Sequence, residues 1–461
     1  MLLYDTHIIN EIKEDRPPDF SFPVVISLVY NRIKSRHFRI GAVTCKVKLQ
    51  NNSWESTDPA NEEEAHMNHY LEEALAMKDE LIANRRHIHR RPELGFDLPE
   101  TIEFVATQLE SYGYNPEKLG GGLTCTAGSG NPVIMLRADM DALPQKEDTG
   151  LPFSSEKDGI CHSCGHDAHT TMLLGAAKLL KQHESELKGT VKFMFQPAEE
   201  LLAGSRRMIE EGILENPHVD AAMGFHVNVG PLGPFDYHAG TMNHAVGRMM
   251  ASADEINIHV KGKSAHGAAA YLGINAVAIA SNIVAALQQM PIMETKYNDD
   301  IIMCIGKIEG GARANIVPDE ATITMSFRAF TSEAREYMRK RVPELAAGIA
   351  SAWRAEAETE FVVGVAPVYN NEELAAEMHK YALDVMDKVQ IVPAVSGSED
   401  FANICEYVPT FWANIGFGAP EDGYEYSMHN PKMRIDEDGL PYGTAAHCHL
   451  ATEWLRNHCT E

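Results

Sequence analysis

The run His162-Ser163-Cys164-Gly165-His166-Asp167 sets a thiol and an imidazole two residues apart in a Gly-containing loop ahead of a predicted helix. Such a pair can meet one divalent ion, and the following helix N-terminus favours the anionic thiolate. Cys161 and Cys164 also make a Cys-x-x-Cys spacing, which suits a structural zinc knot or a redox pair. A zinc knot wants a second Cys/His pair at finger-like spacing, and none follows. A redox pair should open a thioredoxin-like unit, whereas this run stands amid His162, His166, Asp167 and His169. Metal ligation is the stronger reading.

Other groups fall just after predicted strands. Asp139 and Asp141 follow an apolar run at 132–137, Glu199 and Glu200 follow an alternating run at 190–196, and His226 closes a run at 221–227. Ligands of open α/β sheets bind at the carboxyl ends of strands, so these runs deliver acids and an imidazole to one edge. An arbitrary Glu-Glu pair is usually a solvated turn. Beside a metal it permits a division of labour, one carboxylate binding the ion and its neighbour moving protons.

The elements that must hold these groups read as follows. Residues 70–91 predict one helix ended by Pro92, and 171–182 and about 204–214 predict two more between the strands. Alternating strands and helices indicate an α/β fold with a mixed, largely parallel sheet flanked by helices. Between 251 and 367 the order becomes strand 254–261, helix 273–290, strand 301–309, strand 320–329, helix 332–354, strand 359–366. That is the ferredoxin-like β-α-β-β-α-β order, an inserted α+β lid. Residues 67–250 and 368–461 then make the catalytic metal-binding domain.

Residues 1–66 read differently, with weak periodicity up to Asn61-Glu62-Glu63-Glu64-Ala65-His66-Met67. Consecutive Glu codons can spell a ribosome-binding-type tract before Met67, so Met67 is expected as the start and 1–66 as translated leader. A solvated extension is the alternative. The chain of 461 residues has 44% hydrophobic and 23% charged residues, an ordinary globular composition long enough for two domains. A net charge of −26 argues against nucleic acid, whose phosphates need Lys and Arg in excess. The apolar stretch 20–30 is too short to span a membrane and lacks a cleavage pattern. Eight cysteines in so long a chain are no disulfide framework, and a reducing cytoplasm is expected.

With these motifs in order, the sequence resembles the dinuclear metallopeptidase family of aminoacylases and carboxypeptidases. The branch it is most similar to holds hippurate hydrolases, N-acyl-amino-acid amidohydrolases and auxin–amino-acid conjugate hydrolases. The matching runs are Arg90-Arg91-Pro92-Glu93-Leu94-Gly95, Leu136-Arg137-Ala138-Asp139-Met140-Asp141-Ala142-Leu143-Pro144, the Cys164 run, and Phe195-Gln196-Pro197-Ala198-Glu199-Glu200. They continue with Gly224-Phe225-His226-Val227, Asn315-Ile316-Val317-Pro318, Ser398-Glu399-Asp400-Phe401 and His429-Asn430-Pro431. The resemblance spans about residues 80–455.

It implies a zinc-peptidase-like fold and two divalent ions per subunit, zinc or manganese, with cobalt and nickel as alternatives. The implied ligands are Cys164, His166, Glu200, His226 and His429, with Glu199 as general base and acid. Relatives outside this branch begin the site with a His-x-Asp run. Here the stretch reads Asp139-Met140-Asp141, so both Asp residues are expected to orient ligands instead. His266, in Gly262-Lys263-Ser264-Ala265-His266-Gly267, looks like the family's lid histidine, which polarises the scissile carbonyl across a homodimer formed through the lid. A Pro often found a few residues later is replaced by the Ala268-Ala269-Ala270-Tyr271 stretch. Asn315 and Arg313 are the candidates for the substrate carboxylate, although Arg313 reads equally as a solvated turn residue.

The implied reaction is hydrolysis of an N-acyl-amino-acid amide by a protein without nucleic-acid or membrane partners. A dipeptidase or metallocarboxypeptidase, a catalytically silent metal-binding scaffold and a Cys-x-x-Cys redox protein are the competing readings.

Overall fold

A computed structural model describes residues 67–231, 233–296 and 301–459. The expectation for residues 1–66 therefore lies outside the described residues. The stretch predicted as one N-terminal helix is two, α1 (His69–Ala76) and α2 (Lys78–Arg90), broken at Met77. Next comes α3 (Pro99–Ser111), whose first turn is satisfied from outside: Glu93 accepts the N–H groups of Glu100 and Thr101 at 3.2 and 2.9 Å.

The strands that follow are β1 (Glu117–Leu119), β2 (Gly122–Gly128) and β3 (Val133–Asp139). Then come α4 (His166–Gln182), β4 (Thr190–Gln196), α5 (Gly204–Glu210), β5 (Ala221–Asn228), β6 (Thr241–His244) and β7 (Gly247–Met250). The inserted segment comprises β8 (Ala253–Lys261), β9 (Ala265–His266), α6 (Ala276–Glu294), β10 (Ile302–Gly310), β11 (Ile316–Val317), β12 (Glu320–Arg328), α7 (Ser332–Ala352) and β13 (Glu356–Val365). The chain ends with β14 (Val368–Asn370), α8 (Glu372–Ala382), β15 (Lys388–Ile391), α9 (Ala402–Cys405), β16 (Thr410–Gly416) and α10 (Gly439–His458).

Eight strands form the central sheet in the order β1-β2-β4-β3-β5-β16-β6-β15. The middle four, β4-β3-β5-β16, are mutually parallel. Every residue of β3, β4 and β16 is buried, as expected of parallel strands covered on both faces. One face packs Leu136, Phe193, Phe225 and Ile415 against α4 and α10; the other packs Met135, Met194 and Trp412 against the α5 and α9 side. β16 comes late in the chain yet lies between β5 and β6, so the C-terminal segment completes the sheet that the N-terminal segment begins.

The insert forms a separate antiparallel sheet, β10-β12-β8-β13, the ferredoxin-like strand order. Alternate residues Ile256, Ile258 and Val260 of β8 and Ile323, Met325 and Phe327 of β12 point to one face. There they meet Ile279, Ile283 and Leu287 of α6 and Met338 and Val342 of α7. Among the described residues α6 is the one helix long and apolar enough to cross a membrane, and here its buried stripe closes this core.

Candidate metal centre and active site

The helix after the Cys164 run begins five residues earlier than its apolar stripe predicts, at His166 itself. Gly165, at φ 87°, makes the turn into it. A Cβ there would meet Val227 Cγ2 at 2.2 Å, so only glycine lets this loop lie against the end of β5. Thus His166 leaves the first position of α4 while Cys164 stays in the loop above β5.

The central parallel strands bring the rest of the site to the same edge. Asp139 ends β3, Glu199 and Glu200 lie just beyond β4, His226 is on β5, and His429 follows β16. Cys164 Sγ lies 3.5 Å from His226 Nε2 and 3.3 Å from His429 Nε2. Glu200 Oε1 is 3.5 Å from His429 Nε2 and 3.9 Å from His166 Nε2. Donor atoms of Cys164, His166 and His226 lie within 4.8 Å of one another, as do those of Cys164, Glu200 and His429. The two triads share Cys164, and together they contain all five predicted ligands.

These side chains fit cations. Both ring nitrogens of His166 and Glu200 Oε1 are buried without a hydrogen-bond partner, a costly state for polar atoms unless an ion completes it. His226 donates Nδ1–H to its neighbour's carbonyl, Val227 O, at 2.6 Å, leaving Nε2 as a lone-pair donor toward Cys164. Burial, reinforced by His169, holds the His226 imidazole well below its ordinary pKa, in the neutral form that binds metal.

Asp139 and Asp141, expected to orient ligands, accept hydrogen bonds at this edge. Asp141 accepts the backbone N–H groups of Glu199 and Glu200 at 2.9 and 3.2 Å, holding the turn that carries both carboxylates. In that turn Ala198 has φ 54° and donates its N–H to Gly95 O at 3.1 Å. Asp139 accepts from His169 Nδ1 at 2.6 Å, and His169 Nε2 accepts the Val227 N–H at 2.8 Å, which fixes the tautomer and ties β3 to β5.

Sequence reasoning did not single out the charged layer beneath. Arg137, fully buried on β3, donates to Gln196, Asp139, Glu399 and Asp400 at 2.7–2.9 Å. Asp400 also accepts the Ser205 N–H at 2.9 Å and Gln196 Nε2 at 2.6 Å. Burial, then repulsion from Glu399 and Glu200, pushes the Glu199 carboxyl well above the usual range. Burial and Glu200 likewise push the Cys164 thiol up. Bound cations act in the opposite sense on both groups.

His429 has φ 62°, donates its N–H to Ser163 O at 2.6 Å, and presents a partly exposed ring at the mouth of the cluster. His266, Arg313 and Asn315 lie in the insert instead. His266 on β9 pairs with Ile316 on β11, and the Gly267 N–H donates to Asn315 O at 2.8 Å. All three are exposed, and His266 stands outside the donor groups at the sheet edge. The motif lacking a nearby Pro runs as a 3-10 turn, Gly267–Leu272, with Tyr271 and Leu272 exposed.

Residues 135–453 match the model of peptidase family M20/M25/M40. The chain belongs to that family. It is 36% identical to an IAA-amino acid hydrolase of Arabidopsis thaliana over 82% of this chain and 86% of that protein. It is also 36% identical to an N-acetyl-L-cysteine deacetylase of Bacillus subtilis, over 79% and 85%. A crystal structure of a dinuclear metal-binding M20 peptidase from Bacillus subtilis superposes with a TM-score of 0.71 at 32% identity, covering 83% of this chain and 99% of that one. This M20 chain is accordingly a hydrolase, with the metal-dependent amide-cleaving chemistry of its family.

Proposed function

We propose that this M20 hydrolase cleaves the amide bond of N-acyl-amino acids, releasing a free amino acid and a carboxylic acid. The observation that carries the reading is the thiol of Cys164, common to two donor triads that lie beside the buried Glu199 carboxylate. Cys164, His166, Glu200, His226 and His429 would hold two divalent ions, zinc or manganese. When bound, the ions polarise the amide carbonyl and lower the pKa of water.

Glu199 takes the proton of the attacking water and passes it to the departing amine. Its backbone is pinned by Asp141, so the carboxylate is aimed before substrate arrives. Asp139, through His169, steadies the backbone of Val227 next to ligand His226. His266, brought by the lid of a second subunit, donates toward the developing oxyanion, and Asn315 and Arg313 take the substrate carboxylate. These last roles require a homodimer formed through the lid. A reducing cytoplasm suits the thiol ligand; the cysteines among the described residues are unpaired.

A panel of N-acetyl-, N-benzoyl- and longer-acyl amino acids, with dipeptides alongside and with or without chelator, tests the reading. Release of amino acid from N-acyl substrates, abolished by chelation and restored by metal, is expected. Turnover of dipeptides alone would replace it with a dipeptidase, and turnover indifferent to chelation would contradict it.

A further inference from the structure

A cavity of about 230 Å³ lies between the segment that follows Glu200 and the insert. One side is Leu201, Leu202 and Ala203, which lead into α5, and Arg206 of α5; the insert side includes Arg335 and Arg339 of α7 and Phe361–Gly364 of β13.

Three guanidinium groups gather at one glycine there. Arg206 donates to Gly364 O at 2.8 Å. A Cβ on Gly364 would stand 2.7 Å from Asp254 Oδ1, 2.9 Å from Arg339 Nη1 and 3.0 Å from Arg335 Nη2. Against the three cations stands one buried carboxylate, Asp254, which accepts from Arg335 at 2.7 and 3.1 Å and also from Arg339. The exposed Glu336 reaches Arg339 Nε only at 3.9 Å. No carboxylate pairs with Arg206 among the described residues. The site therefore carries excess positive charge, with forked donors suited to a carboxylate. Leu201, Leu202, Val362 and Phe361 add apolar side chains to the lining, Phe361 lying under the Arg339 guanidinium at 4.3 Å.

We propose that this cavity is a second ligand site, which takes a small carboxylate with an apolar body. That is the chemical class of acid released by amide hydrolysis. The choice of acid rests on the proposed function, and the anion site does not. The ligand would bridge Arg206 of α5 to Arg339 of α7. Its volume, below the roughly 300 Å³ of drug-sized pockets, suits an acid no larger than a single aromatic ring.

The test is calorimetric titration of the metal-loaded enzyme with benzoate. Wild type should show a binding component that weakens about tenfold or more in Arg206→Gln, the loss expected for one charge-assisted contact. Without benzoate, kcat/KM of that variant should stay within about twofold of wild type, because the exposed Arg206 side chain donates to Gly364 O and to none of the site residues. Val362→Ser, on the exposed part of the wall, should weaken benzoate more than acetate. Benzoate binding that is the same in wild type and Arg206→Gln overturns the site, as does a parallel collapse of kcat/KM. Arg206-dependent binding of inorganic phosphate without benzoate overturns the carboxylate assignment. Failure of the proposed function shows separately, as wild type that hydrolyses no N-acyl amino acid.

Discussion

The carboxylate of Asp141 accepts the backbone N–H of Glu199 at 2.9 Å, so a residue just past the end of one strand holds the Glu199 turn at the end of its neighbour. The second oxygen of Asp141 does the same for Glu200 at 3.2 Å. Asp141→Asn replaces one acceptor with a donor facing an N–H. It should lower kcat by about 10–100-fold, the usual cost of disturbing a group that orients metal-site residues. Steady-state kinetics with metal content measured on the same sample check this; unchanged kcat would mean that Asp141 does not position Glu199.

Sharing of Cys164 between the two triads makes a second prediction. Cys164→Ser exchanges a soft thiolate for a poor hydroxyl donor in both at once. The variant should retain less metal after dialysis than His429→Ala, which disturbs one triad. Metal analysis of the two variants decides it, and equal retention would mean that the thiol serves a single ion.

Gly165→Ala tests the turn that sets the site. The new Cβ meets Val227 Cγ2 at 2.2 Å and the backbone sits at φ 87°. The cost should exceed about 1 kcal/mol, because the native conformation is incompatible with a side chain. A melting temperature equal to that of wild type would contradict the placement of this loop.

The pH dependence of stability has a defined sign at Glu147. Burial alone would push its carboxyl up, but the hydrogen bond and charge of His89, with Thr149 and the Ser155 N–H, hold it down to about 2. A folded value below the unfolded one, about 4.3, stabilises the fold above that pH. The contribution disappears as pH falls from about 4.3 toward 2. Melting curves of wild type and Glu147→Gln should therefore differ at neutral pH and converge in that acid window. A difference that persists below it would refute the linkage.

The parts of this molecule legible in its sequence are those governed by local pattern. The alternation of β8 and β12 and the stripe of α6 reveal the insert, and the strand-end positions of Asp139, Glu199 and His226 reveal the edge where chemistry gathers. What the pattern does not show is neighbourhood across the sheet. Arg137 reads as part of an apolar strand, yet it meets Glu399 and Asp400 because the chain returns to that edge more than 250 residues later. The segment of β16, Thr410–Gly416, is buried on both faces and its Phe411, Trp412 and Ala413 are consecutive rather than alternating, so periodicity cannot place it between β5 and β6. His169 lies within the apolar stripe of α4, and only the closeness of β3 and β5 makes it a link between them.

In the proposed function Glu199 moves the proton of a metal-dependent amide hydrolysis. The direct measurement is turnover of an N-acyl amino acid by metal-loaded Glu199→Gln, with bound metal determined on the same preparation. Turnover lost by at least about a hundredfold, with metal content equal to that of wild type, is the predicted result for removal of a general base. Full activity in that variant, or loss of activity explained by loss of metal, would contradict the assignment.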